Sequence, residues 1–302
     1  MRIANPIYDS VFKYLLSDPE IALLVISTIT ELDIESVETR NIEQIGRFSP
    51  ALSVFRLDFC ARIRLAKGET QLVLIEIQKA KFPEDIMRFR RYLGEQYADK
   101  NNVVHELKNG RAVKTPLPII SIYFLGHQLE GLPAPVIKVR RQYFDAITRE
   151  ELQFRAQFIE CLSHDSFVIQ IPLLKEPART RLETLLSFFD QHHADPKNEH
   201  QLIIEEDKVP AEFRAIARSL VRAGESTEVR KEMTLEDDFL DGILSIERDT
   251  MARAEAEIKK AEADKQKAEA DKQKAEAQLK TALASLVASG MTEDEARRLL
   301  GL

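Results

Sequence analysis

The stretch Lys67-Gly68-Glu69 lies between two runs of residues that alternate in the manner of strands. Before it, Ser53 to Leu65 sets Leu57, Phe59, Ala61, Ile63 and Leu65 on one face and Asp58, Cys60, Arg62 and Arg64 on the other, which is the period of two of a half-polar strand. After it, Gln71-Leu-Val-Leu-Ile-Glu-Ile-Gln-Lys79 is aliphatic, β-branched and too short and continuous for an amphipathic helix. The intervening residues have the length and composition of a hairpin turn, so the two runs are expected to pair antiparallel. In the second run Leu72, Leu74, Glu76 and Gln78 share a face, and Val73, Ile75 and Ile77 line the other. Two carboxylates and an amide thus stand where a purely structural sheet puts apolar side chains.

An ionised carboxylate taken into a sheet needs a cationic partner, either a metal ion or an arginine. Pairing around the turn brings Asp58 opposite the far end of the second strand, near Glu76 and Gln78, with the register left open because a one-residue slip reverses the face. Mg²⁺ takes one or two protein carboxylates and leaves its other positions to water and phosphate. Asp58 and Glu76 satisfy that requirement, with the Ile77 carbonyl as a further ligand and Gln78 orienting the attacking water. A bound metal ion lowers the pKa of that water and stabilises charge on the phosphate. Gln78 exchanges no proton near neutral pH, so its part is positioning and not general-base catalysis. The metal-free reading of the same residues pairs Arg62 with Glu76 and gives Asp58 to backbone hydrogen bonds at a strand edge.

At these residues the chain resembles the PD-(D/E)XK nuclease superfamily, and more closely its recombination-promoting nuclease and putative transposase branch. Asn5-Pro-Ile-Tyr-Asp-Ser-Val-Phe-Lys-Tyr-Leu-Leu16 resembles the opening helix of that branch, Asp85-Ile-Met-Arg-Phe-Arg-Arg-Tyr92 resembles its Arg- and Tyr-bearing helix, and Ile119 to Leu125 the strand that follows. Leu57 stands where the superfamily has Pro and Gln78 where it has Lys, the glutamine being usual in this branch. The resemblance implies a restriction-endonuclease-like αβββαβ core with a mixed central sheet, Asp58 and Glu76 as metal ligands, and a place for Asp9 close to the metal. Without the family, Asp9 reads as an acid at a helix N-terminus, where capping and the dipole favour it.

Length and composition set outer limits. The 302 residues, 44% hydrophobic, suffice for one substantial core with an accessory region. Cys60 and Cys161 are far apart and form no Cys-x-x-Cys, so neither a disulfide framework nor a zinc ribbon is expected. No apolar run approaches the length of a membrane span and the start lacks the long apolar segment of a secretory signal, so the expectation is a soluble, cytoplasmic protein with no membrane contact. The net charge of −7 argues against a protein that coats DNA. Phosphate contacts depend instead on local clusters: Lys79, Lys81, Arg88, Arg90 and Arg91 follow the site, Arg90 taken singly reading as a solvated helix face, and Lys138, Arg140 and Arg141 form a second group. Arg88 and Tyr92 share a helix face, which makes Arg88 the phosphate or transition-state contact and Tyr92 packing support. There is no Gly-rich phosphate loop, His-Glu-x-x-His or Gly-x-Ser-x-Gly. His192, His193 and His200 lie in a polar stretch read as a solvated loop.

Val136 to Phe144 and Phe167 to Ile171 read as further strands, and Thr180 to Phe189 as a helix. From Ile243 to Ser289 there is neither Gly nor Pro, and Ala-Glu-Ala-Asp-Lys-Gln-Lys occurs at 261–267 and again at 268–274. One long helix is expected. Ile258, Ala261, Ala268, Ala275, Leu279, Ala282 and Leu286 form a heptad seam that Lys265 and Lys272 interrupt, and Glu262–Lys265 and Glu269–Lys272 pairs support the helix as a partly solvated spacer. Thr292-Glu-Asp-Glu295 is a capping box for a short last helix. The expected division is a nuclease-like domain at 1–175, a helical accessory region at 176–245, a charged heptad helix at 246–289 and a terminal helix at 290–302. The expected function is a divalent-metal-dependent DNA endonuclease, a phosphodiester hydrolase using Mg²⁺ or Mn²⁺, linked by resemblance to recombination or transposition, with DNA as partner and homo-oligomerisation through the C-terminal helix. The competing function is a noncatalytic DNA-binding or oligomeric scaffold on the same fold.

Overall fold

The computed structural model describes residues 1–40, 59–80, 85–108 and 111–302. In chain order, β1 (Arg2–Ala4) leads into α1 (Asp9–Leu16) and α2 (Pro19–Thr30), then β2 (Ile34–Thr39), β3 (Phe59–Leu65), β4 (Thr70–Gln78) and α3 (Asp85–Ala98). A hairpin of β5 (Val103–Lys108) and β6 (Arg111–Pro116) precedes β7 (Ile119–Leu125), β8 (Val136–Val139), the short pair β9 (Tyr143–Phe144) and β10 (Glu151–Leu152), α4 (Gln157–Leu162) and β11 (His164–Gln170). The rest is α5 (Arg181–Leu186), β12 (Ala194–Asp195), β13 (Asn198–Ile203), α6 (Arg214–Glu225), α7 (Thr227–Ala288) and α8 (Glu293–Leu300). Residues 1–238 form one compact unit and 239–302 another.

The first unit is mixed α/β and is built on a six-stranded sheet in the order β2-β3-β4-β7-β11-β8. The turn expected at Lys67-Gly68-Glu69 is present. Gly68 takes φ +85° and donates to the Leu65 carbonyl at 2.8 Å, and β3 and β4 pair antiparallel. From β4 the sheet becomes parallel through β7 to β11, and β8 closes it antiparallel. A parallel neighbour requires a crossover, which α3 supplies between β4 and β7.

The alternation read from sequence sorts side chains into two layers. Phe59, Ala61, Ile63, Val73, Ile75, Ile77, Ile122 and Phe124 join the large core with Val11, Phe12, Val25 and Ile29 of α1 and α2. Cys60, Leu72 and Leu74 face the other way, into a smaller cluster with Tyr92 of α3. Tyr92, 7% exposed, is the packing residue expected of it. In this cluster burial pushes the Cys60 thiol up to about 12, which leaves it an apolar filler.

The expected accessory region departs from its reading in two ways. The polar stretch of His192, His193 and His200, read as a solvated loop, runs into a β-hairpin of β12 and β13, and β13 pairs with β1 from Arg2–Ile203 to Ala4–Gln201. The long helix begins at Thr227, with only Ser226 between it and α6, and not near 246. Val229 and Met233, 5% and 1% exposed, anchor its first turns in the core, and residues 227–238 belong to the first compact unit.

The second unit holds the remainder of α7 and α8. Gly290 at φ +94° turns the chain between them, the Thr292–Glu295 capping box forms, and Gly301 ends α8 in the left-handed region. No helix among the described residues is long and apolar enough to cross a membrane.

Candidate active site

β4 carries the site. Glu76 is 2% exposed and Gln78 4%, both on the α3 side of the sheet and opposite Tyr123 and Leu125 of β7. Glu76 borders a cavity of about 10 Å³ walled by Leu74, Phe89, Tyr92, Leu93 and Tyr123. Burial raises the Tyr123 phenol, and the Glu76 charge adds to the rise, so this wall stays neutral.

The cation that meets Glu76 is Arg88, whose Nη2 lies 3.1 Å from Glu76 Oε1. The metal-free reading gave this place to Arg62, which is a correction. Arg62 stands across from Leu72 in the β3–β4 register, pairs with Glu38 at 3.9 Å and donates to the Asn101 carbonyl at 3.2 Å. Arg88 succeeds because α3 follows β4 and returns over the face that holds Glu76.

Gln78 differs from Glu76. Its Nε2 is buried and meets no hydrogen-bond partner among the described residues, a condition with a desolvation cost that native structures seldom accept without a ligand or water. Its main-chain oxygen accepts from the Gly126 amide at 2.6 Å. A Cβ on residue 126 would sit 2.3 Å from the Lys79 carbonyl oxygen and 2.8 Å from that of Gln78. Gly126 lets β7 close against the end of β4, a reason for glycine that no local pattern discloses.

Lys79 points to the opposite layer. Its Nζ lies 2.5 Å from Asp237 Oδ1, 2.7 Å from the Tyr8 hydroxyl and 3.9 Å from the Tyr8 ring centre. Asp237 Oδ2 also accepts from Tyr8 at 3.1 Å and contacts His200 Nε2 at 2.7 Å. The residue expected to hold DNA phosphate is thus bound into a network that joins α1, β4, β13 and α7. Burial works against the Asp237 charge, but hydrogen bonds from Lys79 and His200 outweigh it and hold the carboxyl below its usual range. Burial, with the Asp237 charge beside it, raises the Tyr8 phenol and keeps it a donor.

Next to Asp237, Glu236 receives the amides of Asp9 and Ser10, each at 2.9 Å. Burial raises its carboxyl, with the Ser10 hydrogen bonds pulling the other way. Asp9 does begin α1, but the carboxylate capping that helix is Glu236. Asp9 bonds Lys13 at 2.6 Å, on the helix layer across the sheet from Glu76. The local sequence assigns no role to the acids of Leu235-Glu-Asp-Asp238. Their partners are distant in the chain, by more than 150 residues for Lys79 and Asp237.

A group whose folded pKa is lowered stabilises the fold above its unfolded value and loses that contribution as pH falls through the folded value. Asp237→Asn is therefore expected to cost about 1–2 kcal/mol at neutral pH, where a charge-assisted contact is lost. The difference from wild type shrinks as pH drops below about 4, the unfolded carboxylate value. Urea unfolding of both proteins across this pH range checks it, and an offset that persists at acid pH removes the charge from the explanation.

Of the other expected site residues, Asp58 and Lys81 lie outside the described residues. Arg91 is exposed on α3, and in the second basic group Arg141 is held by Asp165 at 2.9 Å and Glu160 at 3.0 Å. The three histidines of the middle segment go to separate carboxylates: His192 to Asp190, His193 to Glu176 and His200 to Asp237. Among the described residues no three of His, Cys, Asp and Glu converge as a metal-holding group. On β4 the Glu76 carboxylate and the Ile77 carbonyl are oxygen donors of the kind that would fit a Mg²⁺ ion, which takes few protein ligands. Comparisons with family models, curated proteins and solved structures find no match for this chain.

Proposed function

We propose that the protein is a divalent-metal-dependent DNA endonuclease. One observation carries the reading: a buried carboxylate and a buried amide lie two residues apart on one face at the carboxyl end of β4, the amide nitrogen without a partner among the described residues. In this reading Glu76 and Asp58 hold Mg²⁺ or Mn²⁺ with the Ile77 carbonyl, and Gln78 positions the attacking water. The last described pair between β3 and β4 is Phe59–Ile75, and that register, extended by one residue, is the one the proposal needs to set Asp58 against Glu76. The element order from α1 to β7, two helices, three antiparallel strands, a helix, the β5–β6 hairpin and a parallel strand, supports it as well.

The ion would supply Lewis acidity and an activated water. The chain's own groups do the rest. Arg88 balances the Glu76 charge, the apolar wall of Phe89 and Leu93 limits water around it, and Arg91 presents an exposed guanidinium for backbone phosphate. Lys79 acts through Asp237 to fix the end of β4 and not through phosphate. The tie to recombination or transposition rests on the sequence resemblance.

The test is nicking of supercoiled plasmid with Mg²⁺ or Mn²⁺ by wild type, Asp58→Ala and Glu76→Ala. Each substitution is expected to lower the rate by at least about a hundredfold, more than is usual for losing an outer-shell partner. Equal residual activity in all three defeats the site. A second reading, a noncatalytic DNA-binding scaffold, is favoured by the ion pairs that occupy Lys79 and Glu76, and DNA binding by wild type without cleavage selects it.

A further inference from the structure

The long helix offers a surface of defined chemistry. Between residues 251 and 278 every described side chain is exposed, on one unbroken helix that ends at Ala288. Its heptad places Met251, Ile258, Lys265, Lys272, Leu279 and Leu286 at a, and alanine at all five d positions from 254 to 282. What flanks this seam decides its partner. The e positions 255, 262, 269 and 276 are all Glu, the g positions 257, 264 and 271 are Glu or Asp, and the lysines outside the seam fall at b and c.

Pairing with a second copy is opposed in either direction. In a parallel pair g faces the next e, which sets Glu257 on Glu262, Asp264 on Glu269 and Asp271 on Glu276, six like-charged contacts with their symmetry equivalents. The same arrangement stacks Lys265 and Lys272 on their own copies. In an antiparallel pair e meets e and g meets g, acid again on acid. The alanines, in contrast, permit close approach of a helix with larger side chains.

We propose that α7 beyond Met251 is a docking surface for a basic helix of another protein. That partner carries Lys or Arg at its e and g positions, bulky apolar residues over the alanines, and acids facing Lys265 and Lys272. The charges match at every flanking position that a second copy leaves in conflict. Homo-oligomerisation through this helix gives way to a heterotypic pair, independently of the nuclease reading.

The test uses the full chain and two synthetic helices of about five heptads, each with Leu at a and d except for Glu at the two core positions that meet Lys265 and Lys272, one with Lys and the other with Glu at e and g. Titration calorimetry at low salt is expected to show one basic helix bound per chain and none of the acidic helix. With about twofold from each of the seven flanking acids, the preference reaches on the order of a hundredfold, and it falls as salt screens the charges. A chain with Glu255→Lys, Glu257→Lys, Glu262→Lys, Asp264→Lys, Glu269→Lys, Asp271→Lys and Glu276→Lys is expected to exchange that preference and take the acidic helix, a gain that misfolding cannot imitate. Failure of the basic helix to bind overturns the proposal, as does binding indifferent to the seven reversals. A wild-type dimer in sedimentation that the reversals strengthen or break overturns it in favour of self-association.

Discussion

Arg88→Met is expected to lower stability by about 2–3 kcal/mol in the absence of divalent ions, and Mg²⁺ is expected to restore a large part of it. The Glu76 side chain is 3% exposed and its guanidinium partner 23%. Removing one member of a buried pair leaves the other charge without compensation, at about 3–5 kcal/mol when burial is complete. The partial exposure of Arg88 reduces that figure, and methionine keeps most of the stem packing. A ligand that binds only the folded state stabilises it by about 2.7 kcal/mol at a hundred times its Kd. A carboxylate built to hold a cation therefore regains from Mg²⁺ what it lost with Arg88. Thermal or urea unfolding of both proteins, with and without Mg²⁺, measures the effect. If Mg²⁺ shifts neither protein, Glu76 belongs to an ion pair and the proposed metal site is wrong.

Gly126→Ala is expected to cost about 3 kcal/mol or more, at the upper end for overpacking. The added carbon meets main-chain oxygens at 2.3 and 2.8 Å, and these belong to Lys79 and Gln78 at the end of a central strand. No rotamer change relieves the contact, so β7 or the end of β4 must move. Gly94→Ala is the control: in α3 the added carbon meets nothing within 4 Å among the described residues, and the higher helix propensity of alanine is expected to stabilise by about 0.5–1 kcal/mol. Equal denaturation midpoints for the two variants refute the close-approach argument. Because the displaced atoms flank Gln78, loss of nicking is expected to accompany loss of stability in Gly126→Ala.

The strands around Gly68 were legible because the first alternates strictly, the second is a short continuous aliphatic run, and one turn separates them. The faces assigned to Leu72 through Gln78 match the two layers of the structure, since alternation is a local geometric consequence of extended backbone. The partners were not legible. That Arg88 and not Arg62 meets Glu76 depends on the return path of α3, and that Glu236 caps α1 depends on contacts 226 residues apart in sequence for Ser10. The stretch of His192, His193 and His200 was read as loop because it is polar, and β13 is made a strand by β1 from the far end of the chain. In the tail the repeat itself was plain, while the helix start at Thr227 was set by tertiary burial of Val229 and Met233.

The pairing of β1 with β13 has a consequence for the order of synthesis. Arg2–Ala4 leave the ribosome long before Asn198–Ile203, and Tyr8 waits longer still for Asp237. Closing loops of this size costs entropy before any contact repays it, which makes folding slow. A nascent chain already carrying Glu76 and Gln78 lacks the Asp237 anchor on Lys79 until residue 237 has been translated. A fragment cut at 175 or 225 keeps the residues of the six-stranded sheet and loses the clasp, whereas one that ends after Asp238 retains it.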